Sequence, residues 1–343
     1  MVKKAVTIKD IAAAAGVYPA TVSAVLGGRN YMRISQERRE RILQLSKELG
    51  YHPNRQASCL RSGKSPAIGV FLPSWSSNLL FELASGLAEG CQELGYPMAF
   101  KSGVALEHYQ EFLQQMTSKH NTAIVTYEPI WESHFEELNR MLSDYVASGG
   151  HVVVIHYKGR FSMDYVSVGM EEAYGAALAA NYLLEAGCQS LLEISGDFMH
   201  IHRERSQAFT QAVKKVPVEH LILPFEKRQW QIHDLLMEKL GRMSRPCGIF
   251  CAGEMFRHEV AATLLKEGWR IGEDSHIVAY DCDSASEDFV PMAHIVQPYY
   301  EMGRLIAQKL EGLLMGRQVS SERLKPILMP EILPDKWHQQ SFL

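Results

Sequence analysis

Two spacings in this 343-residue chain could hold a metal ion. His200 and His202 form an H-x-H in a segment that also contains Asp197, and Cys247 and Cys251 stand four apart. A transition-metal site needs three or four ligands at set spacing, and neither group has a spaced further partner. The first therefore reads as a loop and the second as packed thiols. His156, at the end of an apolar run, reads as a satisfied polar strand edge. Gly27-Gly28 and Gly149-Gly150 read as turns, since a phosphate-binding loop would add Lys and then Ser or Thr. No G-x-S-x-G is present to form a nucleophile elbow. No catalytic residue, metal site or cofactor is expected, which argues against an enzyme.

The chemistry that remains is charge and its placement. Net charge is only −4, but residues 1–64 hold 12 basic and 4 acidic side chains, leaving 23 basic and 35 acidic in the rest. A head of +8 thus precedes a body of −12, which suggests a polyanionic partner for the head alone. Hydrophobic residues at 46% and charged residues at 22% exclude a wholly disordered or collagen-like chain, and the length predicts roughly two to three domains. The six cysteines are scattered, as in a reduced protein, and no stretch has the length of a signal core or a membrane span. A soluble, cytoplasmic protein without membrane contact is expected.

Helical spacing organises the head. Ile8, Ile11, Ala12 and Ala15 follow Thr7, a cap candidate with Asp10 at the capping-box position, and Gly16 ends that helix. Pro19 can open a second helix with Val22, Val25 and Leu26 inward and Ala20, Ser23, Ala24 and Gly27 outward. Ser35 can cap a third, with Ile42, Leu45 and Leu49 on one face and Gly50 to stop it. Two short helices joined by a Gly turn, on a basic surface, suit a helix-turn-helix; a helical dimerisation cap is the alternative.

Residues 7–26, TIKDIAAAAGVYPATVSAVL, resemble the amino-terminal signature of LacI-family transcriptional regulators. The agreement includes Thr7, Asp10, Ala12, Ala15, Gly16, Val17, Thr21, Val22, Ser23, Val25 and Leu26. Residues 51–65, YHPNRQASCLRSGKS, are similar to the family's hinge segment. The resemblance implies that Thr21 and Ser23 donate to backbone phosphates, and that Asn54 and Ala57 begin a hinge helix. It also implies that Leu60 wedges between base steps in the minor groove. The chain departs from the family at Tyr18, where Ser is usual, and at the base-reading positions Pro19, Ala20 and Ala24, which cannot form bidentate contacts to bases. Methyl contacts, shape readout and the following Arg29 and Tyr31 should then contribute more. Ser58 replaces the hinge arginine, for which Arg55 and Arg61 can compensate. Thr7 is counted with the DNA-facing set.

From Ala67 onward, short apolar runs alternate with helical patterns: AIGVFLP, then Thr122–Thr126, Val152–His156, Leu191–Ser195, Gly248–Ala252 and Ile277–Asp281. Such alternation predicts parallel sheets flanked by helices, with a ligand crevice beyond the carboxyl ends of the strands. This body is similar to that of the same family, a pair of α/β subdomains resembling type I periplasmic binding proteins. The matching segments are Asn78 to Phe81, Arg205 with Phe209, IVAYD ending at Asp281, and IVQPYYEMG from Ile295 to Gly303.

The organisation this implies is a helix-turn-helix domain over 1–52, a hinge helix and linker over 53–65, a two-lobed body over 66–338 and a tail over 339–343. The N-lobe would take about 66–165 and 296–322, and the C-lobe 166–295 and 323–338, with crossings near 165, 296 and 323. The resemblance makes Arg205 and Asp281 effector contacts suited to a polyhydroxylated molecule. Asn78, Glu254, Phe81 and Phe225 are further candidates. The function expected is a homodimeric repressor that binds a pseudopalindromic operator in double-stranded DNA and answers to a small polar effector such as a sugar. The alternative is a small-molecule-binding protein with weakened or lost sequence-specific DNA binding.

Overall fold

The computed structural model describes residues 6–26, 34–49, 67–74, 78–117, 122–127, 134–156, 161–196, 200–214, 216–223, 232–281 and 290–330. The chain divides into two compact units, residues 1–63 and 64–343.

In the first unit the capping signals act as their residue types require. Helix α1 (Ile8–Ala15) begins after Thr7, whose backbone N–H and hydroxyl both donate to the Asp10 carboxylate at 2.7 Å. Gly16 ends it in the left-handed region at φ 65°, where a Cβ would strain the backbone. Pro19 opens α2 (Pro19–Leu26), where its missing N–H costs nothing. The Ser35 hydroxyl accepts from Arg38 N–H at the start of α3 (Gln36–Glu48). Ile11, Ala12, Val22, Val25, Ile42 and Leu45 form the shared core.

Two expectations for this unit change. Ala24 is not outward but 4% exposed. Leu26 is partly buried and packs against this core as expected, whereas Leu49, past the last helical turn, is 40% exposed. Gly50 lies outside the described residues.

The second unit is a duplicated α/β fold. Its first half runs β1 (Ala67–Leu72), α4 (Asn78–Leu94), β2 (Met98–Ser102), α5 (Leu106–Thr117), β3 (Thr122–Tyr127), α6 (Phe135–Ala147), β4 (His151–Ile155) and β5 (Val166–Met170). The second half runs α7 (Glu172–Glu185), β6 (Ser190–Gly196), α8 (His200–Val213), β7 (Val218–Leu223), α9 (Ile232–Leu240), β8 (Cys247–Cys251), α10 (Arg257–Lys266), β9 (Ser275–Tyr280) and β10 (Ala293–Val296). The chain then adds α11 (Tyr299–Leu314), β11 (Glu322–Leu324) and β12 (Ile327–Met329). One sheet has the order β11-β5-β4-β3-β1-β2 and the other β12-β10-β9-β8-β6-β7, the same permutation twice. Every pairing is parallel except β10 with β12. Parallel strands covered on both faces read as near-continuous apolar runs, and β1, β3 and β8 are buried at every position.

The crossings fall later than expected. Strand β5 pairs with β4 through Val153↔Val166 and Ile155↔Val168, so the chain leaves the first lobe after Met170 and not near 165. β11 pairs with β5 through Glu322↔Val168, which moves the last crossing beyond Leu324. The middle crossing lies between β10 and α11. Helix α11 returns to the first lobe, packing so tightly on α4 that a Cβ on Gly86 would lie 2.0 Å from the Tyr300 carbonyl oxygen.

Candidate functional site

In the head, Tyr18 directly precedes α2 and is 82% exposed, and Pro19, Ala20 and Ser23 are also exposed. Thr21 is half-buried. Thr7 is exposed, but its hydroxyl proton is committed to Asp10, so only its lone pairs can meet a new partner. Arg38 and Arg41 on α3 reach solvent. Arg29, Tyr31, Asn54, Arg55, Ala57 and Leu60 lie outside the described residues.

In the body, the carboxyl ends of the strands converge on one buried polar cluster. Two of its members occupy equivalent places in the duplicated lobes. His156 follows β4 and Asp281 follows β9, each with a left-handed backbone, at φ 61° and 70°. Each donates its N–H to the crossing-side strand, His156 to Val168 O at 2.8 Å and Asp281 to Ile295 O at 3.2 Å. Such conformations are uncommon for non-glycine residues and concentrate where a side chain must be aimed.

Arg205 anchors the cluster from α8 and is wholly buried. Its Nε donates to Glu172 at 2.7 Å, its Nη1 to Ala252 O at 2.7 Å and to Asp281 at 2.6 Å, and its Nη2 to the other Asp281 oxygen at 2.8 Å. The guanidinium also lies 3.7 Å above the Tyr280 ring. Tyr280 in turn donates to the Glu172 carbonyl, and Gly175 lacks the Cβ that would meet the Tyr280 hydroxyl at 2.1 Å. Gln297 donates from its amide nitrogen to Asp281. From the first lobe, His156 Nε2 lies 2.8 Å from the Tyr299 hydroxyl, and its Nδ1 is 3.4 Å from Glu172.

The electrostatics follow from burial and pairing. Burial pushes His156 down to about 4, so its ring is neutral near pH 7. Burial opposes the charge on Glu172, but Arg205 and His156 outweigh it and lower its pKa. Burial raises Asp281 in spite of Arg205. Asp281 and Glu172 together overcome the burial of Arg205 and raise it well above the ordinary arginine value.

Of the expected effector residues, Arg205 and Asp281 are therefore brought into direct contact. Glu254 sits half-buried in a 3₁₀ turn, two residues after Ala252. Phe81, on α4, is 71% exposed. Asn78 begins α4, its side chain lying outside the described residues, as does Phe225. Sequence reasoning missed Glu172, Gln297 and Tyr299 and set His156 aside as a strand edge. The available signal was position: Glu172, Gln297 and Arg323 each lie within two residues of a different crossing.

The other set-aside groups have structural roles. His202 is not in a loop but in the first turn of α8, buried, with Nδ1 accepting from Gly196 N–H. Cys247 and Cys251 are buried free thiols, and burial pushes the Cys247 thiol up to about 12. Among the described residues no group of three metal-ligating side chains converges, and no helix is long and apolar enough to cross a membrane.

Residues 7–54 match the bacterial regulatory proteins of the lacI family, and residues 180–331 match the periplasmic binding protein-like domain. The chain thus carries a lacI-family head and a periplasmic binding protein-like segment. The ribose operon repressor of Bacillus subtilis is 26% identical over 325 residues, covering 93% of this chain and 95% of that protein. The transcriptional repressor PurR of Vibrio parahaemolyticus is 26% identical over 337 residues, covering 95% and 97%. Among solved structures, the lac repressor dimer bound to operator and an anti-inducer superposes with a TM-score of 0.63 at 19% identity, over 96% of this chain and 98% of that one. A complex of the regulator CelR with cellobiose gives 0.63 at 22% identity, over 95% and 99%. At these identities the structural likeness concerns the fold. The regulatory-protein match of the head and the repressor relatives along nearly the whole chain support a DNA-binding regulator over an enzyme.

Proposed function

We propose that this chain is a cytoplasmic, homodimeric lacI-family repressor. Two heads would bind a pseudopalindromic operator, and a small polyhydroxylated effector between the lobes would set how firmly they hold it. The observation that carries this reading is the convergence of Glu172, Gln297 and Arg205 with Asp281 beside the lobe crossings. A ligand contacting this cluster touches the segments about which the lobes must turn, so it can favour one closure over another. The CelR complex with cellobiose supports a sugar as effector.

The organisation proposed is a head over 1–52, a hinge over 53–65 and a body over 66–338, with crossings after 170, 296 and 324. In the head, Thr21 and Ser23 would donate to backbone phosphates and Tyr18, Pro19, Ala20, Arg29 and Tyr31 would face the major groove, while Asn54, Arg55, Ala57 and Leu60 would serve the hinge. In the body, Asn78, Phe81, Phe225 and Glu254 would border the effector.

Selection from random duplexes, followed by fluorescence anisotropy at several salt concentrations with and without sugars, tests the proposal. An enriched two-fold motif with steep salt dependence is expected, and Leu60→Ala should weaken specific binding more than nonspecific binding. A second reading, an effector-binding protein with weakened sequence recognition, is favoured by Ala24, which is 4% exposed, and by the lack of donors at Pro19 and Ala20. Salt-sensitive binding without any enriched motif would select it.

A further inference from the structure

We propose that the body's cleft is built for a donor-rich ligand that is uncharged or cationic, a polyol or its amino-bearing analogue, and discriminates against phosphate esters and carboxylates. This rests on the effector-gated reading above and names the chemistry of that site.

The first observation is that the cationic groups are already engaged. Arg205 makes four hydrogen bonds to Glu172, Ala252 and Asp281, against five N–H bonds in the whole guanidinium. Arg323, whose guanidinium would lie 2.0 Å from a Cβ on Gly169, also has an interaction of its own. An incoming phosphate would have to compete with Glu172 at Nε and with Asp281, which already holds the fork in bidentate fashion.

The second observation is a surplus of acceptors. Two buried oxygens of the cluster have no hydrogen-bond partner, Glu172 Oε1 and Gln297 Oε1. Their residues are 3% and 4% exposed, so bulk water does not satisfy them. The Glu172 oxygen can only accept. The Gln297 amide is oriented by its nitrogen donating to Asp281, which leaves its oxygen as the bare end. His156 Nδ1 lies 3.4 Å from the Glu172 oxygen, so with the Tyr299 hydroxyl donating to Nε2 the neutral ring turns its proton toward that carboxylate, whose second lone pair stays open.

Hydroxyl, amine and ammonium groups supply what these atoms lack, whereas a phosphate ester or carboxylate brings further acceptors and negative charge. Each buried acceptor left bare costs about tenfold or more in an equilibrium constant. Glu172 and Gln297 flank two different crossings, so a ligand satisfying both bridges the segments that set lobe closure.

The test is isothermal titration calorimetry on the full chain with matched compounds: ribose and ribose 5-phosphate; glucose, glucosamine, glucose 6-phosphate and gluconate; adenosine and its 5′-monophosphate. At least one neutral or amino compound should bind at least tenfold more tightly than its phosphorylated or oxidised counterpart. Glu172→Gln should weaken that binding about tenfold or more, and Gln297→Met, which keeps the Arg205 pairs, should do the same. An anionic compound that binds as tightly as its parent overturns the proposal, as does failure of every neutral and amino compound to bind. Absence of salt-sensitive DNA binding in the same preparation would instead sink the regulator reading beneath it.

Discussion

Acidification should loosen the second lobe through His202. This imidazole is 1% exposed in α8, and its Nδ1 accepts from Gly196 N–H at 3.2 Å, so protonation there would remove an acceptor inside the fold. Burial, reinforced by Arg205, pushes its pKa down to about 3. The unfolded value is about 6.5, so the unfolded chain binds more protons than the native one throughout the interval between them. The neutral ring's contribution is therefore whole above pH 6.5 and is lost as the pH falls toward 3. Between pH 7.5 and 5.0 this one group removes about 2 kcal/mol of stability, and His156, at about 4, removes a similar ~2 kcal/mol. Urea unfolding followed by tryptophan fluorescence at the two pH values, for the parent and for His202→Gln, isolates the effect. The variant starts less stable at pH 7.5 but should lose about 2 kcal/mol less than the parent on going to pH 5.0. Equal losses in the two proteins would refute the assignment of His202 as a buried neutral group.

Gly86→Ala should destabilise the body by about 3 kcal/mol, read as a lower urea midpoint, because its Cβ meets backbone of α11 and not a movable side chain. Arg205→Met should cost about 3–5 kcal/mol by leaving Glu172 and Asp281 buried without their partner, and an unchanged melting temperature would contradict the pairing. Thr7→Ala should remove about 1 kcal/mol from the head by breaking the capping box, seen as lost helicity at a lower temperature while the body's transition stays in place.

The strands legible in the sequence were those whose environment is uniform. β1, β3, β4, β6, β8 and β9 lie inside their sheets, and burial on both faces demands continuous apolar runs. β2 and β7 are edge strands with mixed burial, and the interior strands β5 and β10 carry Ser167, Gly169 and His294 among so few apolar residues that they show no comparable run. The misplaced first crossing has the same origin. Nothing local to Val166–Met170 says whether it closes the first sheet or opens the second; its pairing with β4 decides that.

Local chemistry alone determined the head: the Thr7–Asp10 box, Gly16, Pro19 and Ser35 act over three or four residues, where the helix period places donors and acceptors. Charge asymmetry between head and body is likewise a property of the sequence. The polar cluster belongs to tertiary structure. Glu172, Arg205, Asp281 and Gln297 are separated by tens of residues, and only the twice-used strand order brings their side chains to one point. His156 is an ordinary histidine in the sequence and a neutral one in the fold, because its pKa depends on the water it has lost and the charges it faces.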